Sequence, residues 1–428
     1  MPQSVTHKNR WVIALAAVAI HLSIGSIYAY SIYQIPLKET QGWSTSKVTL
    51  AFSIAVLVLG FTAAFLGRYV EEYGPRTAGL AAGVLYGLGM VGAGVSVQFG
   101  SLPLFLATFG VVGGMGIGLG YISPIGTLLE WFPDRRGMAT GLAVMGFGAG
   151  ALLTGPLGNY LIQAVGVAPT FYALGGLYFV LMTAGASYLE KPADDWLPEG
   201  MADEENAHER ARSALPGIKS LTAAEARTSP RFWMVWLVVL INVSAGIMLL
   251  AFASPMLQQI GGASATTAAF ITGYIGIFNG GGRIFWSSLS DYIGRTTTYG
   301  AFMLIQIAAF LVMPQLAGVW VLAATIFLVI TCYGGGFASL PAYLSDLFGT
   351  AEVSAIHGYA LTAWGVAGVV GPQLASFVLE STGSYTNALY VVNAALVVGL
   401  LAVLTLRWRI GQLKQGDTST ESAASSSG

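Results

Sequence analysis

Arg283 sits well inside the apolar stretch 268–289, and no other Lys or Arg lies as deep in any hydrophobic segment of the chain. A cation held in hydrocarbon is costly and marks a substrate or ion path. The planar guanidinium suits a carboxylate, which it meets with two parallel charge-assisted hydrogen bonds. Asn279 and Trp286 flank it at spacings of four and three, so the three share one face of a helix. Asn279 either donates to the same anion or holds the Arg fork; Trp286 either walls a cavity or packs. Tyr121 and Tyr333 each lie upstream of a helix-kinking proline, Pro124 and Pro341, and offer hydroxyls to a ligand oxygen. Phe337, four residues after Tyr333, adds an apolar wall, and Tyr28, Met145 and Trp364 lie at comparable depth in other segments. No Asp or Glu occurs deep in any apolar stretch. The competing reading, a structural cation satisfied by carbonyls or a distant acid, thus lacks an obvious partner. One cation neutralises a monoanion, whereas a dianion would bring an uncompensated charge at a cost of several kcal/mol.

The elements that must position these groups are membrane spans. Only 9% of the 428 residues are charged and 55% are hydrophobic, against roughly 25% charged in a soluble domain. Apolar runs of about 20 residues recur, the length that crosses a 30 Å hydrocarbon core. Helices are expected at 11–35, 48–68, 77–97, 102–129, 138–163 and 168–189. A second set is expected at 231–257, 267–290, 297–315, 320–345, 354–379 and 385–407. The first run is expected to be a retained span, because it lacks a small-residue cleavage site.

The fold class is therefore all-α and polytopic, with twelve transmembrane helices in two six-helix halves, an arrangement common in transporters. The expected organisation is a bundle over 1–190, a linker over 191–230, a second bundle over 231–410 and a disordered tail over 411–428. The linker carries DEENAHERAR at 203–212 and reads as a surface loop with a short amphipathic helix. Arg10, Arg76, Arg135, Arg136, Arg295 and Arg407 fall on the side of the termini and Lys38 and Lys47 on the other. The positive-inside rule then puts both termini in the cytoplasm.

Two loops echo each other across the halves: GRYVEEYGPR, with Glu71 and Arg76, and SSLSDYIGR, with Asp291 and Arg295. Each sets an acid at a helix end before a Gly turn and a base. This is either a conformational latch between neighbouring helix ends or ordinary loop solvation.

Other classes find little support. Net charge is −1, without the basic face a nucleic-acid partner requires. Cys332 is the sole cysteine, and His7, His21, His208 and His357 show no metal-ligand spacing. No nucleophile–base pair falls at a shared depth, so an enzyme is not expected, nor a cofactor, nor an obligate protein partner.

With these residues in view, the chain resembles the major facilitator superfamily over nearly its full length. More narrowly it resembles the monocarboxylate transporters and the oxalate:formate antiporter family, through NGGGRIFWSSLSDYIGR at 279–295, EWFPDRRGMATGLAVMGFGAG at 130–150 and GGGFASLPAYLSDLFG at 334–349. The resemblance implies that Arg283 is the carboxylate-binding arginine of the eighth helix. It places Trp364 where the oxalate carrier has a lysine, and Asn279 where animal monocarboxylate transporters have an aspartate. HLSIGSIYAY at 21–30 lacks the family's acidic residue–Gly–aromatic signature.

The expected function is proton-coupled uptake of a small monocarboxylate, L-lactate or pyruvate, across a bacterial inner membrane, with lipid and a proton as the other partners. His21, midway along the first span, is either the proton carrier or a core histidine. The alternatives are small-carboxylate exchange and a non-transporting membrane sensor.

Overall fold

The computed structural model describes residues 8–132, 136–192, 221–349 and 353–425. Hydrocarbon offers the backbone no hydrogen-bond partner, so apolar stretches close their own bonds as helices. Among the described residues twelve long helices result. In the first half, α1 spans Arg10–Gln41, α2 Thr45–Leu66 and α3 Glu72–Gln98. α4 runs through three consecutive pieces, Leu102–Phe105, a π-wound Leu106–Gly113 and Gly114–Trp131. α5 is Arg136–Val165 and α6 Val167–Tyr188. The second half contains α7 (Pro230–Gln259), α8 (Ala265–Ile293), α9 (Arg295–Val312), α10 (Val319–Phe348), α11 (Val353–Thr382) and α12 (Tyr385–Ser425). Ten of the twelve are long and apolar enough to cross a membrane by composition alone; α5 and α8 match them in length, and Asn279 and Arg283 interrupt the apolar run of α8.

Local chemistry sets the helix ends. Asn9 caps α1 by accepting from the Trp11 N–H, Ser264 caps α8 by accepting from Thr267, and Ser229 does so for α7 with Pro230 at the first position. All six turns on the face opposite the termini contain a glycine at positive φ: Gly42, Gly100, Gly166, Gly262, Gly318 and Gly383.

Three features depart from the sequence expectation, and a fourth segment escapes the comparison. The GRYVEEYGPR segment is not an open loop: α2 and α3 form one hydrogen-bonded helix interrupted at Gly74 (φ 81°), with Pro75 starting the next leg. α1 extends to Gln41, and its middle, Gly25–Tyr33, is wound as a 3₁₀ helix. The last helix continues past Gly411 to Ser425, through a stretch with no proline to stop it, where a disordered tail was expected. In the linker, DEENAHERAR lies outside the described residues. The short helix that is seen, Ala223–Thr228, starts from a capping box between Thr222 and Glu225.

The halves meet chiefly along α5–α8, α2–α11 and α1–α7, with α1 also packed on α8 and α10, and the described contacts run from mid-depth to the face opposite the termini. In α5 and α8 a Cβ on Gly276 would lie 1.7 Å from the Gly148 carbonyl oxygen, so only glycine permits that crossing. Between α2 and α11, Gln373 Nε2 donates to Ser46 O and Ser53 Oγ, both at 3.4 Å, and the Ser46 N–H donates to Glu380 Oε1 at 2.6 Å. Between α1 and α7, Gln34 Nε2 donates to Ala251 O at 3.0 Å, and the Ser254 N–H donates to Ser31 Oγ at 3.3 Å. At the termini face, Lys8–Glu190 (2.6 Å) and Arg295–Asp346 (3.8 Å) each join helices of one half.

Candidate functional site

Arg283 lies at mid-depth on α8, on the side turned toward α1, α4 and α10. Its Nε donates to Asn279 Oδ1 at 3.1 Å, the i,i+4 contact their spacing allows. One edge of the fork is thereby fixed to its own helix. The guanidinium carbon stands 5.3 Å from the centre of the Phe337 ring, within cation–π range. Tyr121, Tyr28 and Tyr333 surround the cation closely enough to interact with its charge, and among the described residues no carboxylate pairs with it. The close approach of α10 depends on Gly334: a Cβ there would sit 2.2 Å from Asn279 O and 3.3 Å from Arg283 Cγ.

Around the cation the aromatic side chains close a ring. Tyr121 touches Phe147 (centroids 5.8 Å), Phe147 touches Tyr28 (4.8 Å) and Tyr28 touches Tyr333 (6.5 Å). Tyr333 continues to Phe337 (5.3 Å), Phe337 to Trp364 (5.0 Å), and Trp364 returns to Tyr121 (6.1 Å). The first half supplies Tyr28, Tyr121 and Phe147; the second supplies Tyr333, Phe337 and Trp364. The Tyr28 and Tyr333 hydroxyls are 3.4 Å apart, a direct bridge between the halves. A narrow cavity lined by Tyr28, Phe52, Phe147, Tyr333 and Trp364 adjoins the ring, wide enough for roughly one water.

His21 is fully buried on α1, with its ring 6.1 Å from Tyr121 and Nδ1 bonded to Ala17 O at 3.0 Å. With Nδ1 as the donor, Nε2 presents a lone pair. Asn279 Nδ2 is buried with no hydrogen-bond partner, and His21 Nε2 and Trp364 Nε1 are buried near the Tyr121 backbone and the Tyr333 hydroxyl without a bond of good geometry. A buried donor or acceptor left unpaired costs about 1–3 kcal/mol, so a ligand that satisfies these atoms recovers that cost on binding. A guanidinium, two N–H donors, a lone pair and tyrosine hydroxyls fit a small carboxylate bearing one further polar oxygen.

The structure thus brings together Arg283, Asn279, Tyr121, Tyr333, Phe337, Tyr28 and Trp364, with His21 beside them. The side chain of Met145 lies outside the described part of α5. Trp286 shares the helical face but is directed into the second half, where its N–H donates to Thr331 Oγ1 at 3.1 Å and its ring packs 5.1 Å from Phe302. It therefore packs rather than walls the ring. Phe147 was not anticipated. It lies two residues beyond Met145 in the quoted 130–150 segment, and only its aromatic character at that depth could have flagged it.

The latch residues divide. Glu71 has its side chain outside the described residues, and Arg76 is exposed beside the Gly74 turn. Arg295 is bonded to Asp291 and Ser290 on α8 and reaches Asp346 on α10 at 3.8 Å. That cluster ties neighbouring helix ends within the second half. Asp346 belongs to the quoted SDLFG segment, but was not singled out. Among the described residues no group of three or more His, Cys, Asp or Glu is placed to hold a metal.

Twelve spans in two halves around a mid-depth cluster drawn from both are the architecture of a membrane transporter. The Major Facilitator Superfamily profile matches residues 13–372 and 235–426, and the chain belongs to that family. Its relatives include the oxalate:formate antiporter of Oxalobacter formigenes, 26% identical, covering 93% of this chain and 92% of that protein. Monocarboxylate transporter 10 of Rattus norvegicus is 24% identical over 93% and 78% of the two chains. The apicoplast pyruvate carrier 1 of Toxoplasma gondii is 26% identical over 77% and 69%. Among solved structures, a bacterial homologue of the human lysosomal transporter Spinster superposes with a TM-score of 0.68 at 15% identity, over 95% and 98% of the chains. A D-xylose–proton symporter gives 0.66 at 17% identity, over 93% and 97%. These two likenesses concern the fold.

Proposed function

We propose that this protein carries small monocarboxylates such as L-lactate or pyruvate across a membrane by alternating access, in symport with a proton. The observation that carries the proposal is Arg283: a cation at mid-depth, oriented by Asn279, facing both halves, with no carboxylate among the described residues paired to it. The carboxylate of the substrate meets the guanidinium edge that faces the Tyr121 and Tyr28 hydroxyls, and its hydroxyl or keto oxygen is read by Tyr121, Tyr333, Tyr28 or the unpaired Asn279 Nδ2. The aromatic ring encloses the short apolar portion. A single cation sets the preference for monoanions. His21 is the proposed proton carrier, since its buried ring lies 6.1 Å from that of Tyr121.

With the termini in the cytoplasm of a bacterial cell, the face at which the described cross-half contacts gather, the sealed face of this conformation, is external. Labelled L-lactate uptake into proteoliposomes tests the proposal. An imposed inward proton gradient raises uptake severalfold; uptake indifferent to the gradient rejects the coupling. Exchange is the second reading, supported by the antiporter relative. Counterflow that disappears without substrate on the far side would favour it.

A further inference from the structure

The middle of α1 carries an uncommon winding, nine residues of 3₁₀ helix at Gly25–Tyr33, where runs beyond three or four are rare and often mark hinges. With three residues per turn, positions three apart fall on one line. Tyr28, Ser31 and Gln34 form such a line, and all three touch the other half: Tyr28 meets Tyr333 beside Arg283, Ser31 accepts from the Ser254 N–H, and Gln34 donates to Ala251 O. The last contact has a clear origin. Pro255 lacks the N–H that would bond the carbonyl four residues earlier, so Ala251 O is left free inside α7. Gln34, fully buried, supplies the missing donor from across the interface and also reaches Thr49 Oγ1 at 3.1 Å.

An α-winding would destroy this alignment. Each three-residue step would fall short of a full turn by about 60°, fanning Tyr28 and Gln34 apart by about 120°, and would shorten the segment by about 4.5 Å. Two water-sized cavities flank the segment: one is lined by Ser26, Ile27, Tyr30 and Tyr33, and the second by Ile27 and Tyr28.

We propose that Gly25–Tyr33 is a winding switch, in which the 3₁₀ form aligns the site residue Tyr28 with the seal residues Ser31 and Gln34, and conversion to α-helix releases the seal. Gln34 is the residue that holds the 3₁₀ form. The inference rests on the carrier reading only for its purpose; its measurements need no substrate.

In a Cys332→Ala background, Ser254→Cys reports opening of the sealed face through its maleimide alkylation rate and keeps the backbone N–H that bonds Ser31. Spin labels at the exposed positions Leu15→Cys and Glu39→Cys, in a separate variant, report the length of α1. Gln34→Leu raises alkylation about three- to tenfold, the effect of losing one buried hydrogen bond, and moves the label distance toward a population about 4 Å shorter. Pro255→Ala, which returns an N–H to Ala251 O, shifts both readouts in the same direction. Unchanged alkylation in both variants overturns the seal, and raised alkylation with an unchanged label distance overturns the switch. Repeating both measurements in Arg283→Ala separates this proposal from the carrier reading: the switch persists there even if that variant shows the site assignment to be wrong.

Discussion

At the scale of single residues, the site combines one charge with several unsatisfied polar atoms. Asn279 fixes the Arg283 fork through a single hydrogen bond, so Asn279→Leu should weaken L-lactate binding about three- to tenfold without removing it, measured by equilibrium binding on purified protein. Asn279→Asp places an acid one turn from the cation. The resulting internal ion pair competes with substrate, so affinity should fall at neutral pH and recover as the acid is protonated; a binding curve independent of pH would contradict this. Most of the site was legible because a buried charge, a proline kink or a helical spacing marked each residue. Arg283, Asn279, Tyr121 and Tyr333 carry polarity where polarity is expensive. Phe147 carries none, and among many apolar residues nothing in its type distinguished a site wall from packing. Trp286 misled for the opposite reason: helical spacing gives the face, but a long side chain chooses its direction by its partners, here Thr331 and Phe302.

At the scale of elements, hydropathy located the twelve spans because water-free surroundings force helix formation. It is blind to how a helix is wound, so the 3₁₀ middle of α1 and the π-wound stretch of α4 left no trace in the pattern. It also placed an open loop where α2 and α3 stay helical around Gly74, because charged residues there signal only exposure. The crossing of α5 and α8 depends on Gly148 and Gly276 in backbone contact. Gly276→Leu therefore prevents the sealed conformation from forming. Transport should drop by more than an order of magnitude while helical content by circular dichroism stays near that of the native protein; retained uptake would contradict the tight crossing.

At the scale of the whole molecule, the described cross-half contacts gather at mid-depth and at the face opposite the termini, while the charged clusters at the termini face tie helices within a half. On the alternating-access reading proposed above, transport requires the first set to break and a second set, at the termini face, to form. The site lies on the seam and draws side chains from both halves, so occupancy bears directly on that exchange. A bare Arg283 should resist reorientation more than a neutralised one, which makes substrate an accelerator of the change. The most direct test is binding of labelled L-lactate to Arg283→Ala compared with the native protein, with size-exclusion profile and helical content matched. Loss of the charged hydrogen bonds should reduce affinity at least about thirtyfold. Unchanged affinity in a folded Arg283→Ala protein would contradict the account.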